Sequence, residues 1–159
     1  MSRRVLLISF GLLLFALGVG RAAHAAHAPI LEVSVIHATQ SDAGQAIDPA
    51  LRDLPQLTRD QPFVRYNVYK LLDRKGFPLE VNKPVTMPLP NGRTLQVLLG
   101  STTVDKNEKR YQLQAQISEP GKQAFLRGLH VTASENEPFF VGGQSYGGGV
   151  LFLELLIRP

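Results

Sequence analysis

The chain has 159 residues, no cysteine, no tryptophan and an apolar content of 44%. That content is ordinary for a globular protein, while the missing thiols exclude disulfides, thiolate metal ligands, a thiolate nucleophile and a lipid-anchored cysteine. Of the 17 Lys and Arg, three (Arg3, Arg4 and Arg21) lie in an acid-free leader; the other 14 meet 13 Asp and Glu, a balance that points to neither nucleic acid nor an anionic membrane as a partner.

Arg3 and Arg4 open the chain, and Val5 to Val19 is uncharged and mostly apolar. Two Ala-x-Ala sites follow, Ala23-His24-Ala25 and Ala26-His27-Ala28. A basic start, a short apolar run and a small-residue cleavage site make a secretory signal. The run is shorter than the ~20 residues that span a bilayer, so no stable membrane span is expected after cleavage. A cut after Ala28 would fall at an Ala-Pro bond, a tertiary amide with a restricted preceding residue. Cleavage after Ala25 is therefore favoured, which divides the chain into a signal over 1–25 and one domain over 26–159. The expected address is periplasmic or extracellular.

Leu31, Val33 and Val35 alternate with Glu32 and Ser34, predicting a strand over residues 30–38. Gln40 to Gln45 reads as a loop. Asp48-Pro49 followed by Leu51 and Leu54 predicts a helix of about two turns, ended by Pro55. Phe63 to Leu72 alternates like a strand, with Val64, Tyr66, Val68 and Leu72 on one side. A turn over Asp73–Gly76 leads to a short strand over Phe77–Val81, and Asn82-Lys83-Pro84 turns again. Pro88 places Val85–Leu89 at a sheet edge.

Asn91-Gly92 predicts a type I′ hairpin into Thr94–Leu99. Asp105 to Lys109 separates that strand from Tyr111–Ile117. There Tyr111, Leu113, Ala115 and Ile117 face inward and three glutamines face water. Glu119-Pro120-Gly121 turns the chain, Ala124–Ala133 predicts a strand interrupted by Gly128, and Phe139-Phe140-Val141 begins another. Gly142 to Gly149 reads as a glycine-rich link. Val150–Ile157 is the most apolar stretch after the leader and is expected to be covered on both faces.

Gly143-Gln144-Ser145-Tyr146-Gly147 matches G-x-S-x-G, the nucleophile elbow of serine hydrolases. The motif needs a helix after the serine, and three glycines follow instead, each costing a helix ~1 kcal/mol relative to alanine. His130 precedes Ser145, against the elbow family's order, so Ser145 with His130 is a minor catalytic candidate. The same glycines lack the Gly-Lys-Ser/Thr ending of a phosphate cradle. His37 and His130 lie far apart without a local ligand cluster, so no metal or other cofactor is expected. Glu135 and Glu137 form the best local carboxylate pair, in a setting that reads as a solvated loop. Tyr146, Phe139 and Phe140 are weak candidates for stacking on a ligand.

The recurrent strands and turns predict an all-β fold, a single antiparallel β-sandwich of about eight strands with one short helix. The function that fits is non-catalytic: binding, scaffolding or assembly in a bacterial cell envelope. A small exported hydrolase using Ser145 and an eight-stranded outer-membrane barrel are the alternatives. An envelope protein could add a strand at an exposed sheet edge, for which the terminal strand suits better than the Pro88 strand. The pattern selects no oligomeric state.

Overall fold

A computed structural model describes residues 28–119 and 128–159. The expected signal, Pro120-Gly121 and the beginning of the expected Ala124–Ala133 strand lie outside the described residues. The chain forms nine strands: β1 Ile30–Thr39, β2 Ala46–Ile47, β3 Val68–Pro78, β4 Val85–Pro88, β5 Thr94–Asp105, β6 Glu108–Ser118, β7 Leu129–Ser134, β8 Phe139–Tyr146 and β9 Gly149–Arg158. They make two sheets, one in the order β2-β3-β1-β9-β8 and the other in the order β4-β5-β6-β7. All pairings are antiparallel except the two-residue β2–β3 contact. The all-β sandwich is thus correct. The sheets do not close on each other, which overturns the outer-membrane barrel.

The main core lies between the sheets. Leu31, Val33 and Val35 of β1 and Leu151, Leu153, Leu155 and Ile157 of β9 pack there. Leu95, Val97 and Leu99 of β5 and Tyr111, Leu113, Ala115 and Ile117 of β6 meet them from the other sheet. The glutamines of β6 point outward, as the alternation predicts.

A second core covers the other face of the five-stranded sheet. Ile36 and Ala38 of β1, Tyr69 of β3 and Phe152 of β9 project there, under Leu51, Leu57 and Phe63. Of those last three only Leu51 comes from Asp48–Leu54, where a two-turn helix was expected, while Leu57 follows Pro55 and Phe63 opens the stretch expected to be a strand. The structure has instead a 3-10 turn over Pro49–Leu51, a four-residue helix α1 over Gln56–Arg59, and a second 3-10 turn over Phe63–Arg65. Asp48 caps the first turn, its Oδ1 accepting from the Ala50 amide at 3.0 Å, and its Oδ2 accepts from the Leu71 amide at 3.3 Å. Pro55 ends one element as expected and starts the next.

Phe63 to Asn67 is therefore not strand. Phe63 drops between Phe140 and Phe152, with ring centroids 4.8 and 4.7 Å away, and burial of that ring overrides the local alternation. The Tyr69 hydroxyl donates to the Phe63 carbonyl at 2.6 Å, and burial pushes its pKa up to about 12. The predicted turn at Asp73–Gly76 is also wrong, since β3 runs straight through it. Leu72 is an extra residue in that strand, because Val35 faces Asp73 while Ile36 faces Leu71. The bulge reverses which side chains face inward, sending Tyr69 and Leu71 to the outer core and Phe77 to the inner one.

The hairpins redistribute the turn chemistry. Gly92 donates to the Leu89 carbonyl at 3.0 Å, and Leu89 donates to Arg93 at 2.7 Å. Gly92 has φ +79° and Asn91 no positive φ, so Leu89–Gly92 is a type I turn closed by a glycine bulge. Pro90 dictates this, because its ring suits the first central position of a type I turn. The two-residue type I′ turns lie elsewhere, at Lys106-Asn107 (φ 47° and 70°) and Gly147-Gly148 (φ 52° and 75°). Accordingly β5 and β6 extend well beyond Leu99 and Tyr111, and β8 crosses the stretch expected to be a glycine link.

β9 lies between β1 and β8, and Leu151 to Ile157 are buried without a break. It is covered on both faces as expected, so it is no edge for a partner. Leu153→Ala should lower stability by about 3 kcal/mol in urea denaturation, whereas Val104→Ala, 69% exposed in the β5–β6 hairpin, should leave the midpoint unchanged. Deleting Val150–Pro159 should leave a chain without cooperative melting by circular dichroism.

Candidate functional site

Ser145 and His130 do not meet. Ser145 sits on β8 opposite Val150, which packs into the outer core of the five-stranded sheet. His130 sits on β7 opposite Gln114, on the outer face of the four-stranded sheet. The two side chains thus leave opposite outer surfaces of the sandwich. Nor does an elbow form, since Tyr146 is followed by the Gly147-Gly148 turn and then β9.

The glycines around Ser145 serve packing. A Cβ on Gly149 would lie 2.2 Å from the Ala38 carbonyl oxygen, and one on Gly142 would lie 2.1 Å from the Phe152 ring. Gly147 and Gly148 supply the positive φ that the type I′ turn requires.

The aromatic candidates do not converge either. Phe139 packs on the core between the sheets and Phe140 on the opposite side of β8. Tyr146 stands edge-on to His37, ring centroids 5.2 Å apart at 79°. The His37 Nε2 lies 3.0 Å from the Tyr146 carbonyl. A carbonyl can only accept, so this contact places the proton on Nε2. These residues tie the β8–β9 turn to β1.

Glu135 and Glu137 separate in role. The Tyr111 hydroxyl, at the end of the inner core, donates to Glu135 Oε1 at 2.6 Å, and Lys109 Nζ lies 3.2 Å from the same oxygen. The Tyr111 hydrogen bond, aided by Lys109 and partly opposed by desolvation, holds Glu135 below the usual carboxylate range. Burial, reinforced by the Glu135 carboxylate, pushes the Tyr111 phenol above its usual range. The Asn136 amide donates to the Ile157 carbonyl at 2.8 Å. The cluster pins the crossing from β7 to β8, and Glu137 remains exposed.

The surface best organised for recognition is the outer face of the four-stranded sheet. Pairing brings Thr86 beside Gln96, Gln96 beside Gln116, Gln114 beside His130, and Gln112 beside Ser101 and Thr132. Gln116 Nε2 donates to Gln96 Oε1, and Thr132 Oγ1 donates to Gln112 Oε1 at 3.0 Å. A hollow of about 250 Å³ opens among them, with Asn82, Gln96, Gln114 and Gln116 around Pro84 and Leu98. This central patch carries amides, hydroxyls and one imidazole, but no acid, lysine or arginine. Charged Asp105, Glu108 and Arg110 lie at its far end, towards the β5–β6 turn, and the Glu80–Lys83 ion pair flanks the hollow beside Asn82 and Pro84. The glutamines of β6 were legible as a wet row. Their alignment with Gln96, Thr132 and His130 depends on strand register and on the extra residue at Gly100.

Tyr111→Phe tests the electrostatic assignment at Glu135. A carboxylate held low in the fold contributes stability above its unfolded pKa, and that contribution disappears as pH falls through the folded value. The variant should therefore lose about 1 kcal/mol at pH 7, discounted for the partial exposure of Glu135. Urea titrations should show the gap narrowing below pH 4.5, the ordinary glutamate value. Equal gaps at pH 7 and pH 3 would contradict the assignment.

No family model, curated protein or solved structure matches the chain, so its chemistry rests on the geometry above.

Proposed function

We propose that the chain is an exported, non-catalytic binding module whose four-stranded sheet recognises a neutral, polyhydroxylated ligand, a glycan chain of the cell envelope. The single observation that carries this is the uncharged hydrogen-bonding face from Thr86 across to Thr132. Export is supported by Arg3 and Arg4, the apolar run after them and the paired Ala-x-Ala sites.

A phosphate or sulfate polymer calls for a basic patch, which this face lacks. A sugar hydroxyl both donates and accepts, and a glutamine amide answers with two donors and an accepting oxygen. Gln96, Gln114 and Gln116 offer three such groups around the hollow, while Leu98 and Pro84 offer apolar contact for the C–H faces of a sugar ring. Cross-strand hydrogen bonds hold Gln96 and Gln112 in place before a ligand arrives, which reduces the ordering cost of binding. Ser145 and His130 are too differently placed to act together on such a ligand.

The exported product of the full chain should bind at least one neutral oligosaccharide in a panel of neutral and anionic glycans. Its affinity should hold when salt is raised from low to about 0.5 M, because no ion pair is screened. Gln114→Ala combined with Gln116→Ala should weaken binding at least tenfold with an unchanged melting curve. Binding confined to anionic glycans, or to none, would refute the reading.

A further inference from the structure

The helical segment covers only part of the outer face of the five-stranded sheet. Beside that cover lies a cavity of about 350 Å³ bordered by Glu32, Ala50, Asp53, Arg74, Glu154 and Arg158. Glu154 is its deepest charged group, only 3% exposed. It sits mid-strand in β9 between Ser34 of β1 and Phe140 of β8. Its Oε2 is buried without a hydrogen-bond partner, and among the described residues no cation pairs with it.

The arginines of the cavity are directed elsewhere. Arg74 Nε donates to Ser34 Oγ at 2.9 Å, and its Nη2 donates to the Ala50 carbonyl at 3.3 Å. Glu32 Oε1 lies 3.9 Å from Arg74 Nε and 3.8 Å from Arg158 Nη2. Two guanidinium groups thus attend one half-exposed carboxylate, while the buried one has none. A buried charge without a counter-charge is costly, and a strand this apolar would accommodate leucine at position 154. With three acids against two arginines, the border carries one net negative charge.

We propose that this cavity receives the ammonium group of an external amine, which pairs with Glu154. One monovalent cation neutralises the border. A divalent metal fits poorly, because among the described residues no group of three or more metal-ligating side chains converges. An ammonium on an alkyl stem matches the site better, with three donors for the Glu154 oxygens and the stem against Leu156 and Leu54, which also border the cavity. The amine could be a free alkylammonium or a lysine side chain of a partner, which share this chemistry. The site lies on the opposite surface from the glycan face and does not depend on it.

The test uses calorimetric titration of the exported full-chain product with n-butylammonium chloride, with a blocked Ala-Lys-Ala peptide, and with n-butanol as the uncharged control. At least one cationic probe should saturate and butanol should not. Saturation by butylammonium alone would identify a free amine, and saturation by the peptide, alone or with butylammonium, a lysine side chain. Glu154→Gln should weaken the bound probe at least tenfold, and Glu137→Gln, on the exposed crossing, should leave it unchanged. Without a probe, Glu154→Gln and Glu154→Leu should each melt at a higher temperature than the parent, since each removes a buried unpaired charge. Glu154→Gln serves alone if the leucine variant does not fold. Absence of saturation by either cation, undiminished binding in Glu154→Gln, or a lowered melting temperature in that variant would overturn the proposal.

Discussion

The architecture depends on a sheet that is apolar on both faces. In β1, Leu31, Val33 and Val35 point to one side while Ile36 and Ala38 point to the other. In β9, Leu151 to Ile157 alternate between the same two sides. A sheet of this kind cannot leave either face in water, because each exposed leucine would forfeit roughly 1.5–3 kcal/mol of burial. The four-stranded sheet covers one face. The stretch from Pro49 to Tyr66 covers part of the other, and its irregular shape follows from that task. Three short helical turns broken by Pro55 and Pro62 follow the sheet's twist more closely than one straight helix would.

This requirement also marks where legibility in the sequence stops. β9 was readable because seven successive buried positions leave a run apolar everywhere but at Glu154, and β6 because Tyr111 to Ile117 alternate cleanly. Phe63 to Leu72 was misread because its alternation is real, yet the ring of Phe63 is claimed by Phe140 and Phe152, residues far away in sequence. Nothing near Leu72 announces its bulge, which switches the faces of the β3 side chains while β1 alternates without interruption. Asn91-Gly92 was recognised as a hairpin, but Pro90 sets its type. The candidate surfaces were less legible still. Gln112, Gln114 and Gln116 were read as an outward row, but their partners on β5 and β7 emerge only with register. Glu154 drew no notice within the most apolar stretch, and its isolation becomes visible only once Arg74 and Arg158 are seen to turn towards Glu32.

The G-x-S-x-G match shows how a motif can be written by folding alone. Gly142 makes room for Phe152, Gly143 occupies the β8 bulge, Gly147 forms half of a tight turn, and Gly149 passes against the Ala38 carbonyl. Each requirement is local, and together they surround Ser145 with the spacing of a nucleophile elbow. An elbow works by aiming its serine at the start of a helix. Here the chain reverses into the central strand, so the spacing is met while the geometry is absent.

Where, then, would a partner or ligand bind? Sheet edges are the usual invitation, and this protein blunts them unevenly among its described residues. β4 carries Pro88, β7 spans six residues, and β8 has a bulge at Gly143, but β2 pairs with only Val68 and Tyr69, which leaves β3 beyond Leu71 without a strand neighbour on that side. Short edges, proline and bulges are means by which β proteins avoid pairing with other chains. Apart from the β3 edge, recognition falls to the faces, and the two outer faces differ in kind. One is a broad array of neutral amides held by cross-strand hydrogen bonds. The other narrows to a cavity around one buried carboxylate. A neutral array favours many weak, salt-insensitive contacts spread along an extended ligand, whereas a lone desolvated charge favours one compact cation. Because the apolar interior separates them, the two surfaces can engage different molecules independently.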